Sequence, residues 1–179
     1  MKIKNRLFLL GAAMAVMSSS AFADTTGTQT FTATVTVDTC TIANLNQAVD
    51  LGNVLRADYA SVGNWNVPAN ATSVSVNFDV TGCGNNITTV NVTPTFTAES
   101  ALARFVKNAG TAAGIAFDTA KLSNTDFDKS RIWENGVTKA FTLTNGAVQV
   151  PVVGALSKNT QAVTAGTLDF QMTFAFDFV

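Results

Sequence analysis

The side chains that could do chemistry in this 179-residue chain are few, and one type is missing outright, since there is no histidine. That removes His-based triads, His-containing zinc sites and imidazole acid–base work. Cys40 and Cys83 are the whole thiol inventory. In an exported chain an even pair reads as one disulfide, which leaves no thiolate to act as a nucleophile. The carboxylates offer one close pair, Asp126 and Asp128. On a strand such residues share a face and could hold a cation or a sugar. Ser123-Asn-Thr-Asp-Phe-Asp-Lys129 reads more simply as a solvated loop. No P-loop or GxGxxG follows a strand and opens a helix. Sequons at Asn70, Asn86 and Asn91 carry no weight in a chain so rich in Asn and Thr. Neither an enzyme nor a cofactor is expected.

The two ends of the chain set the context for those residues. Residues 1–23 read as a secretory signal. Lys2, Lys4 and Arg6 precede an apolar run from Leu7 to Met17, and Ala21-Phe-Ala23 supplies a cleavage site. The run is about half a bilayer span, too short for an anchor. Three of the 11 basic residues leave with this leader, so eight face 12 acidic ones. They are scattered along the chain, which makes nucleic acid or an anionic membrane a poor partner. About 156 mature residues suffice for one domain with a core, and a cysteine bridge would close a loop of about 44 of them. Such a loop restricts the unfolded chain by roughly 4 kcal/mol.

The elements that position these residues read as strands throughout. At the C-terminus Leu168, Phe170, Met172, Phe174, Phe176 and Phe178 alternate with Asp169, Gln171, Thr173, Ala175 and Asp177. A period of two sends the apolar set to one face, against a core or a partner. Thr28 to Val37 alternates Thr with Gln29, Phe31, Ala33 and Val35. Residues 49–54 form a short strand interrupted at Gly52, and Val74, Val76, Phe78 and Val80 mark another. In the strand from Thr88 to Thr97, Pro94 demotes the second half to an edge or a bulge. Residues 101–107 fit one helical turn or a loop. Residues 114–117, 139–143 and 148–153 read as short strands, with Asn145-Gly146 a hairpin turn between the last two. About eight closely spaced strands indicate a β-sandwich.

Together these pieces resemble the pilin subunits of bacterial chaperone–usher fimbriae, in the broad type 1 and P-pilus group. Phe31-Thr-Ala-Thr-Val-Thr-Val-Asp-Thr-Cys40 is similar to the family's alternating segment leading into its first disulfide cysteine. Cys83 follows at the usual spacing, with Val49-Asp-Leu-Gly-Asn-Val54 between the two. Gly166 stands fourteenth from the end and Phe178 is penultimate, where the family usually has tyrosine. The resemblance implies an all-β, incomplete immunoglobulin-like sandwich lacking its last strand, completed by a donor strand from a neighbouring subunit. It also implies a groove beside Gly166, Leu168, Phe170, Met172, Phe174, Phe176 and Phe178. A periplasmic chaperone fills the groove first and holds the C-terminal carboxylate, and the outer-membrane usher then exchanges it for the next subunit's arm. Strand addition of this kind gains affinity from main-chain hydrogen bonds and specificity from alternate side chains.

Residues 24–33 are assigned to that arm and 34–179 to the pilin domain. Within the arm Thr25, Gly27, Gln29, Phe31 and Ala33 share a face on which only Phe31 is bulky and apolar. The resemblance casts Gly27 as the small residue opposite a shallow part of the groove. The alternative is that residues 28–37 form an ordinary first strand of a complete sandwich. The expected function is a structural subunit of an adhesive surface fimbrium, polymerising head-to-tail with identical or related subunits, exported through the periplasm, with a host receptor among its partners. The competing function is a self-complete secreted binding module, for example for carbohydrate, with Tyr59, Trp65 and Trp133 as contacts.

Overall fold

A computed structural model describes residues 25–35, 40–99, 102–123 and 125–179. The leader and Asp24 lie outside the described residues. Two sheets face each other. One has the order β3 (Asn46–Val54), β1 (Thr25–Val35), β11 (Leu168–Phe178), β5 (Thr89–Thr95), β9 (Lys139–Thr142). The other runs β2 (Thr41–Ala43), β4 (Ser73–Thr81), β10 (Val148–Lys158), β8 (Ile115–Asp118), β7 (Leu102–Lys107), β6 (Ala98–Glu99). Among the described residues the helical pieces are one turn, α1 (Arg56–Tyr59), and a 3-10 turn at Lys129–Arg131. The chain is an immunoglobulin-like β-sandwich of two facing sheets.

The core lies where the alternating faces meet. On β11 every even residue from Leu168 to Phe178 is buried, and the odd ones are half-buried or exposed. Phe174 meets Phe78 of β4 at 5.2 Å and Trp133 at 5.2 Å between ring centroids, and Phe176 meets Phe78 at 5.5 Å. Edge-on and tilted contacts of this kind add to the area each ring buries. Cys40 and Cys83 form the expected disulfide, tying the entry of β2 to the exit of β4.

Several local expectations need adjusting. Residues 102–107 form the strand β7, neither helical turn nor loop. Phe105 and Val106 are both buried although adjacent, because Trp65 covers Phe105 at 4.8 Å while Val106 faces the core. That covering erased the alternation by which a strand is recognised. Asn145 and Gly146 do form a turn with positive φ, closing Thr144 against Ala147. It does not join a hairpin, since β9 and β10 belong to opposite sheets. The ladder from β5 to β9 stops at Val92, leaving the half of β5 that holds Pro94 at the sheet edge, as a missing N–H dictates.

Candidate functional site

The site is the groove along β11 and the strand that fills it. On one side β11 pairs antiparallel with β5, from Thr173 opposite Thr95 to Phe178 opposite Val90. On the other it pairs with β1, and this pairing is parallel, from Gly27 opposite Leu168 to Val35 opposite Phe176. β1 also pairs antiparallel with β3, with a register shift between Gly27 and Thr28. The segment assigned to the arm therefore lies in its own domain, between β3 and β11. Within this chain the strand beside β11 comes from the same chain.

Of the set picked out by period two, Gly27, Gln29 and Phe31 are buried and Ala33 is half-buried. Phe31 is fully buried, 6.4 Å from the Phe174 ring. Gly27 is buried, and a Cβ there would sit 2.8 Å from Leu168 Cβ and 3.2 Å from Leu51 Cδ1. No side chain fits without displacing Leu168. Gln29 is fully buried; its Nε2 donates to the Phe170 carbonyl at 3.3 Å, and its Oε1 has no partner. An unpaired buried amide oxygen costs about 1–3 kcal/mol. Ala33 is half-buried. Thr25 pairs through its backbone with Val54. On the outer face the Thr32 and Thr173 hydroxyls lie 3.1 Å apart.

The ends of β11 are held by backbone. Gly166 passes close to the loop at 111–112, where a Cβ would stand 2.4 Å from the Ala112 nitrogen. At the other end Val179 donates to the Thr89 carbonyl at 3.0 Å, and its carboxyl-terminal oxygen accepts from the N–H groups of Thr88 at 2.9 Å and Thr89 at 3.0 Å.

The remaining candidates lie elsewhere. Asp126 is paired with Arg131, and Asp128 accepts from the Ser130 N–H and hydroxyl at 2.8 Å each. The Ser130 hydrogen bonds hold the Asp128 carboxyl below its ordinary range. These carboxylates close a loop, and no group of three or more potential metal ligands occurs among the described residues. Tyr59 and Trp133 are buried at 1% exposure each, and half-buried Trp65 packs on Phe105, so the three do not form an exposed aromatic platform. Burial pushes the Tyr59 hydroxyl far above its usual range. One buried pair escaped sequence reading. The Arg104 Nε donates to Asp118 at 3.1 Å, with the guanidinium over the Phe105 ring at 4.7 Å. Burial raises the Asp118 carboxyl, and Arg104 opposes that shift without cancelling it. These partners, 14 residues apart in sequence, meet only when β7 and β8 pair.

No protein-family model and no curated protein matches the chain. Among solved structures, the crystal structure of the P pilus rod subunit PapA is similar, at 20% identity and a TM-score of 0.58. The match covers 79% of this chain and 100% of that one. With the paired sheets, the bridged cysteines and the apolar last strand described above, the protein has the fold of a chaperone–usher pilin.

Proposed function

We propose that the protein is a structural subunit of a surface fimbrium, brought through the periplasm by a chaperone and usher and polymerised by donor-strand complementation. The observation that carries this reading is the site itself. Residues 25–35 seat on β11 by a continuous main-chain ladder and a face of alternate side chains, in a sandwich of pilin fold. Main-chain pairing plus alternate pockets is the chemistry by which a strand from one molecule adds to the sheet of another. The arm, residues 24–33, is the donor, and the groove-edge strand from Gly166 to Phe178 is where a chaperone and then a neighbouring subunit pair. A head-to-tail contact of this kind propagates instead of closing into a dimer.

The mature chain, co-expressed with a fimbrial chaperone with and without Asp24 to Ala33, tests this on an unheated denaturing gel. A ladder of multimers that vanishes with the arm is expected. A monomer that never ladders and never retains the chaperone would sink the reading. One observation favours a self-complete binding module instead: the sandwich is closed by its own β1. That module would stay a stable monomer in both preparations.

A further inference from the structure

The chain contains two Asn-Gly steps, Asn135-Gly136 and Asn145-Gly146. An asparagine before glycine is open to attack by its own backbone, because the glycine nitrogen is unshielded by a side chain and turns freely toward the neighbouring amide. As sequence the two steps are alike, and both asparagines are exposed. Their hydrogen bonds differ.

At the first step both reacting groups are held. The Gly136 N–H donates to the Pro94 carbonyl at 2.8 Å, and the Asn135 Oδ1 accepts from the Phe96 N–H at 2.8 Å. Those bonds tie the loop to the end of β5, and attack there must break them. At the second step neither the Asn145 side chain nor the Gly146 N–H has a hydrogen-bond partner among the described residues. The turn is pinned around them instead. Thr144 and Ala147 exchange backbone hydrogen bonds at 2.9 and 3.2 Å, and the Gly146 carbonyl accepts from the Cys83 N–H at 3.1 Å. With φ of 53° at Asn145 and 71° at Gly146, this is the tight reversal that Asn-Gly favours.

We infer that Asn145 is a site of spontaneous covalent modification, converting to isoaspartate in the folded chain, and that Asn135 is protected. The Gly146 nitrogen gives its proton to hydroxide and attacks the Asn145 Cγ. The Cγ–Nδ2 bond breaks, and Nδ2 leaves as ammonia with a proton from water, closing a succinimide ring. Water then opens the ring. Cleavage at the Asn145 main-chain carbonyl routes the backbone through Cβ and Cγ and leaves a carboxylate on the old main-chain carbon. Cleavage at Cγ leaves ordinary aspartate.

Isoaspartate adds a main-chain atom to a turn that has no slack. A Cβ on Gly146 would already stand 2.8 Å from the Cys83 carbonyl, so the turn lies hard against Cys83. The Thr144–Ala147 pair and the Gly146–Cys83 bond cannot both survive the insertion. The modification therefore loosens the sandwich beside its disulfide.

The test ages the mature chain, disulfide intact, in mildly alkaline buffer and digests it with trypsin, which places Asn135 in peptide 132–139 and Asn145 in peptide 140–158. Exchange of the side-chain NH2 for OH, read by mass and assigned by fragmentation, should run roughly tenfold or more faster at 145, since opening the two hydrogen bonds at 135 costs a pre-equilibrium. In urea-unfolded chains the two rates should converge. An isoaspartyl methyltransferase should label the aged peptide 140–158. The aged chain should exchange its Cys83 amide hydrogen faster and unfold at lower urea, whereas Asn145→Asp, which adds the charge without the extra atom, should match the parent in both. Equal rates at the two sites of the folded chain overturn the inference, as does conversion at 145 only after unfolding. Equal loss of stability in the aged chain and in Asn145→Asp overturns the lengthened turn as its cause.

Discussion

At the scale of single residues, the polar side chains that matter are the buried ones. Asp118 is fully buried while Arg104 keeps about a quarter of its side chain exposed, so the two partners are not equivalent. Without Asp118 the guanidinium can still reach water. Without Arg104 the buried carboxylate keeps the Ala120 N–H at 3.0 Å but loses its cation, and breaking a buried pair in that way costs on the order of 3 kcal/mol. Arg104→Ala should therefore destabilise the domain by about that amount near neutral pH. Burial already raises the folded-state Asp118 carboxyl above its unfolded value, and losing the cation raises it further. A raised carboxyl binds its proton more tightly in the folded chain, so the deficit should shrink as pH falls toward the unfolded carboxylate range. Urea unfolding of parent and variant at neutral and mildly acidic pH measures this, and a deficit that grows on acidification would contradict it.

At the scale of elements, β1 and β11 are unequal partners. β11 is anchored by β5, by its buried aromatic row and by the hydrogen bonds of Val179, whereas among its described side chains β1 has one large apolar anchor, Phe31. Phe31 is the large side chain of β1 seated in the core, 6.4 Å from the Phe174 ring, so Phe31→Ala removes much of the side-chain burial holding β1. Truncations of this type cost about 3–5 kcal/mol. The variant should unfold at markedly lower urea and bind a hydrophobic dye in the native baseline, as β1 leaves the groove uncovered. Loss of stability without dye binding would mean that β1 stays seated and only the cavity is felt.

At the scale of the whole molecule, the disulfide works on the unfolded chain more than on the folded one. It joins positions 43 apart, on the far side of residues 36–39 from the arm. Replacing Cys40 and Cys83 together by serine should lower stability by roughly 4 kcal/mol through the freed loop. The arm lies outside that loop, so in chemically denatured chains the cost should be the same with or without residues 24–33. A double-deletion cycle in urea checks this, and strong coupling between bridge and arm would contradict it.

What was legible in the sequence is what local periodicity encodes. The burial of β11, the inward set Gly27, Gln29, Phe31 and Ala33, and the edge at Pro94 all follow from alternation and from a missing N–H. The even cysteine count pointed to the bridge that the structure holds. β7 was hidden because covering on both faces removes alternation, and the supposed hairpin at Asn145-Gly146 was misplaced because a turn specifies a reversal and not a sheet. Tertiary structure alone decided which strand sits beside β11 and in which direction it runs. Main-chain ladders form equally well with strands of many sequences, so alternation marks a strand's face and leaves its partner open. That choice rests on long-range packing around Phe31 and on the close approach of Gly27 to Leu168, and it is made in spite of the unpaired Oε1 of buried Gln29.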